Sequence, residues 1–433
     1  MTSEEAVYDL EHAFGIQLGL GRMEQLLSRL HNPQDRYKTI HVTGTNGKGS
    51  VTAMIASALH QAGFRTGRYT SPHLEEYTER ICVDEGAISR TDFAEAVAVV
   101  SHEVEAIAAA GGERPTEFEM LTAAAFWYFA KARVDYAVIE VGLGGLLDST
   151  NVITPVVSVI TNVAMDHMKY CGNTLEEIAA QKAGIIKPGV PVVTTAEKPG
   201  LSVIAATAYE KHSRLYALGH SFTIKAAAPP DVQGQVLTLQ EHTGRGRALT
   251  VDLPLLGEHQ QKNCAAALMA LLLVARQEKR LTKTAIAAGI HQVRWPGRFQ
   301  VLKAGEQDIV IDGAHNPAGI DTFCRTYEQV FGTRERVFLF SVLADKDYTQ
   351  MVHTLFRSDD YVICAPAPTP RSADPREIAR ILPCRADWAS SLEAALDQAL
   401  QAVQPAQVLC IVGSLYIQGE VRRHLRDSWH VTL

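Results

Sequence analysis

The segment His41-Val-Thr-Gly-Thr-Asn-Gly-Lys-Gly-Ser50 sets glycines and a lysine between a β-rich run and a stretch where Val51, Met54, Ile55, Ala58 and Leu59 recur at helical spacing. Strand, glycine loop and helix in succession is the setting in which backbone N–H groups and a helix N-terminus cradle phosphate. Gly44, Gly47 and Gly49 permit the close approach, and Lys48 has the length to reach β- and γ-phosphates. The spacing departs from the common GxxxxGK[ST] pattern. Val42 stands at the first glycine position, and Ser50 follows Lys48 by two residues rather than one. A second glycine run, Gly142-Leu-Gly-Gly145, lacks the third glycine of a dinucleotide fingerprint and supports none.

Metal chemistry is the next signal. Glu140 ends the strand-like run Tyr136-Ala-Val-Ile, and His167 follows the run Val156–Thr161. In a parallel sheet ligands collect at the carboxyl ends of strands, so a carboxylate and an imidazole at neighbouring ends can hold a divalent ion bridging nucleotide phosphates. Magnesium prefers oxygen, which makes the histidine the less usual partner. Ser71, in Thr70-Ser-Pro-His-Leu74, is a loop hydroxyl suited to the same ion or to a plain turn. Lys182 by itself reads as a helix-surface lysine.

The elements that must position these groups follow from the rest of the chain. At 433 residues and 47.3 kDa it is too long for one ordinary core. Short apolar runs alternating with helical patterns indicate α/β layers around largely parallel sheets. Strands are expected at Thr39–Thr43, Tyr136–Val141, Val156–Thr161 and Pro191–Thr195, and again at Asp308–Ile311, Val337–Ser341, Tyr361–Ala365 and Val408–Val412. The Pro-Gly of Arg294-Trp-Pro-Gly-Arg298 punctuates the two sets. The expected domains are therefore 1–294 and 299–433, joined by a linker at 295–298. Residues 220–256 alternate polar and apolar, as an antiparallel hairpin appended to the first sheet would. The longest apolar run, Cys264–Ala275, is too short to span a membrane and reads as a buried helix. A formal charge of −7 disfavours non-specific attraction to nucleic acid or anionic membrane. The start is acidic rather than signal-like, and seven scattered cysteines without a CxxC pair read as reduced thiols, pointing to the cytoplasm.

Taken in order, several segments resemble folylpolyglutamate synthase/dihydrofolate synthase, a branch of the Mur ligase superfamily. They are His41–Ser50, Ser71-Pro-His-Leu74, Thr116-Glu-Phe-Glu119, Glu140-Val-Gly-Leu-Gly-Gly145, Asp148-Ser-Thr-Asn151, Asp166-His167, Lys182–Gly189, Asp312-Gly-Ala-His-Asn-Pro317 and Gly413-Ser-Leu-Tyr416. The resemblance covers nearly the whole chain. It implies an N-terminal P-loop mononucleotide-binding α/β domain and a smaller Rossmann-like C-terminal domain. It also implies ATP-dependent amide formation, in which ATP phosphorylates a carboxylate of a pterin substrate and the amine of L-glutamate attacks the acyl phosphate. Dihydropteroate and reduced folates are the implied acceptors.

Residue by residue, the resemblance assigns Gly44, Thr45, Asn46, Gly47, Lys48, Gly49 and Ser50 to the triphosphate. Ser71 and Glu140 match ligands of one magnesium ion, and His167 that of a second nearby. Lys182 matches a lysine that becomes N-carbamylated. Asn263 matches a residue near the adenine, Arg298 an arginine on the phosphates, and Asp312 a nucleotide contact. His315 is placed near the reacting groups, and Ser71, His73 and Leu74 correspond to the folate loop. The participation of a monovalent cation is left open, and a monomer is expected. One departure stands out: Leu146 follows the double glycine where the family often has arginine. Alternatives are a monofunctional folylpolyglutamate synthase and, from another class, a nucleotide-binding regulator without ligase activity. The regulator is disfavoured because Lys48, Glu140, His167, Lys182 and Asp312 are all present. A ligase of peptidoglycan precursors is disfavoured because the phosphate loop begins so early in the chain.

Overall fold

The computed structural model describes residues 1–11, 15, 17–243 and 246–433. They form two compact units. The first comprises Met1–Lys225, Leu237–Asp252 and Gln260–Val293; the second comprises Ala226–Val236, Leu253–His259 and Arg294–Leu433.

The first unit is built on eight strands: β1 Lys38–Thr43, β2 Thr66–Tyr69, β3 Ile81–Val83, β4 Gly86–Ala87, β5 Tyr136–Glu140, β6 Val157–Ile160, β7 Val192–Thr194 and β8 Leu215–Ala217. Their order is β4-β3-β2-β5-β1-β6-β7-β8. From β2 to β8 every pairing is parallel, while β3 and β4 turn back antiparallel at one edge. The four strands expected in this region are present to within a residue at each end. The short β2, β3, β4 and β8 carry too few apolar residues to announce themselves. Central β1 is flanked by β5 and β6, with Val42 opposite Glu140 on one side and Val159 on the other. That register brings the phosphate loop, Glu140 and Thr161 to one carboxyl edge.

The apolar spacing after the loop predicts a one-faced helix, yet Lys48–Gln61 buries every residue from Ser50 to Leu59. The reason is a second helix, Lys283–Gln292, which crosses it so closely that Ser57 Oγ donates to the Gly289 carbonyl at 2.9 Å. Cys264–Ala275 falls almost wholly inside the helix Glu258–Val274, buried as expected.

Residues 220–256 form more than a hairpin, and they do not extend the large sheet. β9 Phe222–Ala226, β10 Gln235–Glu241 and β11 Ala248–Leu253 make a separate three-stranded sheet in the order β11-β10-β9. Residues 244 and 245 lie outside the described residues. Burial alternates strictly along β11, the mark of a sheet with one covered face.

The sheet of the second unit contains β12 Gln300–Ala304, β13 Gln307–Ile311, β14 Arg336–Phe340, β15 Tyr361–Cys364, β16 Arg385–Trp388 and β17 Val408–Val412, in the order β12-β13-β17-β14-β15-β16. All neighbours are parallel except β12 with β13. Val408, Cys410 and Val412 of β17 enter one apolar cluster and Leu409 and Ile411 another, so this strand is covered on both faces. Such double cover explains why the inner strands read as continuous apolar runs. All seven cysteines are free thiols, and no described helix is long and apolar enough to cross a membrane.

One buried polar chain ties β1 to the loop after β5. His41 is fully buried, with Nε2 2.8 Å from Thr150 Oγ1. The Thr150 hydroxyl in turn donates to Asp148, whose other carboxylate oxygen accepts the Leu143 N–H at 2.8 Å. Thr150 therefore accepts from His41, which fixes the Nε2–H tautomer. Burial, with a smaller contribution from Lys187, pushes the imidazole down to about 3. Because the folded value lies below the unfolded one, protonation favours the unfolded chain as pH falls through about 6.5. His41 alone is expected to remove about 2 kcal/mol of stability between pH 7.5 and pH 5. Urea unfolding of wild type and His41→Gln at both pH values checks this: the variant should show a shallower loss, and identical losses would refute the assignment.

Candidate functional site

The phosphate loop is held in shape by side chains from outside it. At the end of β6, Thr161 Oγ1 donates to the Asn46 carbonyl at 2.6 Å, and Asn162 Oδ1 accepts the Asn46 N–H at 2.8 Å. Thr45 N–H donates to the Asn162 carbonyl at 3.0 Å, and Thr45 Oγ1 accepts the Ala164 N–H at 3.0 Å. From the other side Thr43 Oγ1 donates to the Gly144 carbonyl at 2.7 Å, coupling the two glycine runs.

Glycine is required here on steric grounds. A Cβ on Gly44 would meet Thr161 Oγ1 at 1.8 Å, and one on Gly47, at φ +83°, would meet Asn263 Oδ1 at 2.2 Å. Asn263 is thus packed on the loop itself. Its Nδ2 donates to Gln260 Oε1 at 3.0 Å, and Gln260 Nε2 donates to Ser50 Oγ at 3.2 Å. Lys48 Nζ lies over the loop, donating to the carbonyls of Gly44 at 3.0 Å and Thr45 at 3.2 Å.

Beside the loop, Glu140 is buried to 4% exposure, and its Oε2 accepts the Ser71 N–H at 3.2 Å. Ser71 and Glu140 are therefore adjacent, at the carboxyl ends of the neighbouring strands β2 and β5. The Ser71 loop winds around Glu79, whose carboxylate accepts the N–H groups of Leu74, Glu75 and Glu76 at 2.8–2.9 Å. His73 Nδ1 accepts from Arg80 Nε at 2.9 Å. Burial first, and Arg80 second, lower its imidazole to about 4, so it is neutral.

Lys182 lies in the helix Leu175–Ala183 and is only 4% exposed, not the surface lysine its sequence suggests. The helix bears on the glycine turn, where Leu146 N–H donates to the Gln181 carbonyl at 2.7 Å. Burial chiefly, then the charge of Lys48, lowers the Lys182 amine to about 8, with Cys171 and Asp166 opposing. His167, in contrast, is 58% exposed, at φ +48°, 3.7 Å from Asp166. Thus Lys48, Lys182, Asp148 and Asp166 share one electrostatic environment.

In the second unit Asp312 directly follows β13. Its carboxylate accepts the Phe299 N–H at 2.7 Å and the Ala314 N–H at 2.8 Å, stapling the turn that carries Arg298. Burial raises its pKa, and Arg298 opposes the rise. The Arg298 guanidinium packs over Gly313, where a Cβ would come within 2.8 Å of Nη1. His315 Nδ1 is 2.8 Å from the Gly313 carbonyl, so the proton sits on Nδ1.

Sequence reasoning missed Thr43, Thr161, Asn162 and Gln260. Threonine and asparagine at a strand end look like turn residues, and the parallel register that sets β6 against β1 is the signal that would have found those three; Gln260 lies in the helix Glu258–Val274, where no local signal marks it.

Comparison with known proteins bears on this geometry. The Mur ligase middle domain matches residues 42–271 and the Mur ligase glutamate ligase domain matches 297–415. The folylpolyglutamate synthase of Lacticaseibacillus casei is 39% identical over 423 residues, covering 96% of each chain. The dihydrofolate synthase/folylpolyglutamate synthase of Bacillus subtilis is 34% identical, covering 95% of this chain and 96% of its own. A Mycobacterium tuberculosis folylpolyglutamate synthase solved with ADP and AMPPCP superposes with a TM-score of 0.87 at 32% identity, covering 98% of this chain and 99% of that one. With two Mur ligase domains in order and full-length relatives of this similarity, the chain belongs to the folylpolyglutamate synthase/dihydrofolate synthase family of Mur-type ligases.

Proposed function

We propose that the protein is an ATP-dependent ligase that joins L-glutamate to dihydropteroate and to reduced folates. The observation that carries this reading is the phosphate loop, which is clamped at the carboxyl edge of the first sheet with Glu140, Ser71 and Lys182 around it. The loop amides and Lys48 would take the triphosphate, with the lysine offsetting charge on the transferring phosphoryl group. The acceptor carboxylate attacks the γ-phosphorus, giving an acyl phosphate and ADP. The glutamate amine then attacks the acyl carbon, loses a proton, and expels phosphate as the amide forms.

The donors around the loop suit magnesium. Among the described residues no three His, Cys, Asp or Glu side chains gather as a ready-made metal cage. A carboxylate and a hydroxyl with room for phosphate oxygens and water is how a hard cation that keeps its water is usually held. Ser71 and Glu140 would hold one ion, and His167 would contribute to a second. Magnesium there supplies charge neutralisation for the phosphates. Lys182 fits carbamylation because its lowered pKa leaves a large neutral fraction near pH 8. That amine nitrogen can bond CO2 and release a proton, turning a buried cation into an oxygen-bearing anion. Asn263, Arg298 and Asp312 are proposed as nucleotide contacts, His315 as a group near the reacting atoms, and His73 and Leu74 as parts of the folate loop. We place the enzyme in the cytoplasm as a monomer with no nucleic-acid or membrane partner.

Mass spectrometry of products tests the reading, with ATP, magnesium and glutamate, and dihydropteroate or a tetrahydrofolate as acceptor. Addition of one glutamate mass to both is expected. Addition to the tetrahydrofolate alone would make it a chain-extending synthase only, and addition to neither would overturn the proposal. Lys48→Ala should lower turnover by roughly 10²-fold or more while the chain stays folded. For Lys182, protein stripped of CO2 should regain activity on adding bicarbonate, faster as pH rises through about 8, where the neutral amine accumulates. Activity indifferent to bicarbonate would remove the carbamate.

A further inference from the structure

The first unit carries a second concave site at the opposite end of its sheet. A cavity of 180 Å³ opens among Lys38, Tyr136, Val157, Arg214, Tyr216 and Arg276. Lys38, Tyr136 and Val157 begin β1, β5 and β6, and Arg214 immediately precedes β8, so the cavity lies at the amino ends of parallel strands. The phosphate loop follows β1 at its other end, about 17 Å away along the strand. The two sites are separate.

The charge arrangement of this cavity is uneven. Lys38 pairs with Glu278 at 2.5 Å, and Arg276 with Glu241 at 2.6 Å. Arg214 lies over the Tyr216 ring at 5.1 Å and, among the described residues, enters no ion pair. Arg214, which is exposed at the mouth, is therefore the one cation of the lining without a carboxylate partner among the described residues. Hydrogen-bonding capacity is uneven in the same sense. Tyr136 donates its hydroxyl proton to Glu278 at 2.8 Å, but Tyr216 Oη accepts from Arg276 Nη1 at 2.9 Å. Among the described residues the Tyr216 hydroxyl proton goes to no acceptor. A guanidinium and an O–H donor thus line one cavity with an aliphatic wall of Val156, Val157, Pro191, Leu273 and Val274, while Gly189 and Gln277 complete the lining beside the paired Lys38, Tyr136 and Arg276.

We propose that this cavity binds a compact aromatic monocarboxylate. The carboxylate, an acceptor-only group, satisfies Arg214 and the Tyr216 hydroxyl, and its single negative charge matches the one lining cation that has no ion-pair partner among the described residues. A ring fits the apolar wall, since a cavity of about 150 Å³ suffices for benzene. The proposal does not rest on the ligase reading, because no residue of the phosphate-loop end takes part.

Isothermal titration of the full chain with benzoate tests it. Saturable binding is expected, weakened roughly tenfold or more in Arg214→Gln and for neutral benzamide, each of which removes the charge-assisted contact. Saturating ATP or dihydropteroate should leave the benzoate affinity unchanged. Absence of saturable heat, equal binding to wild type and Arg214→Gln, or displacement by ATP or dihydropteroate would each overturn the proposal; displacement would assign the probe to the other end of the sheet. Melting of Arg214→Gln at the wild-type temperature shows that the comparison is between folded proteins.

Discussion

The site depends on one constraint: the loop after β1 is fixed by the end of β6. Asn46 is gripped at both its N–H and its carbonyl, by Asn162 and Thr161 respectively. A free glycine-rich loop would pay conformational entropy on closing around a ligand; this one has paid it on folding. The same grip explains Gly44, which lies where Thr161 leaves no room for a Cβ, while Gly47 is held to glycine by Asn263 instead. It also explains why β1 must be central. Only a strand with parallel neighbours on both sides can have its loop held from β6 while Thr43 reaches the glycine turn after β5.

Around that loop the protein gathers ionisable groups under cover. Lys182 and Glu140 are nearly inaccessible, and burial acts on each neighbour in the direction of the neutral form: Lys182 and His41 down, Asp148 up. Such groups are costly to bury without function or compensation. His41 through its Nε2, Thr150 and Asp148 are joined in a chain ending on the Leu143 amide, which makes the glycine turn part of the same polar network, while His41 Nδ1 has no partner among the described residues. The turn in its turn bears on the helix of Lys182 through Leu146 and Gln181. Phosphate loop, the Asp148 carboxylate and the helix of the buried lysine are thus mechanically continuous.

Much of this was legible in the sequence. Long parallel strands buried on both faces announce themselves as apolar runs, and β1, β5, β6, β13 and β17 were readable to within a residue or two. The glycine loop was legible because glycines and a lysine stand at short spacing between an apolar run and a helical pattern, and the structure places a strand before it and a helix after it. Short strands such as β3 and β8 were not, and neither was the clamp, because Thr161 and Asn162 acquire their role only from a neighbour more than a hundred residues away. Lys182 shows the same limit: nothing local distinguishes a buried lysine from an exposed one. The side chain of Leu146 is largely exposed, whereas its N–H is what holds the turn, so the departure from arginine does not disturb this contact.

The most direct measurement is the affinity of Asn162→Ala for a non-hydrolysable ATP analogue, with thermal melting alongside. A pre-formed loop predicts an unchanged melting temperature and affinity lower by roughly tenfold, the cost of one lost charge-free anchor on a backbone amide that must be oriented. Affinity equal to wild type would contradict the account, because the loop would then be shaped by the nucleotide rather than by the end of β6.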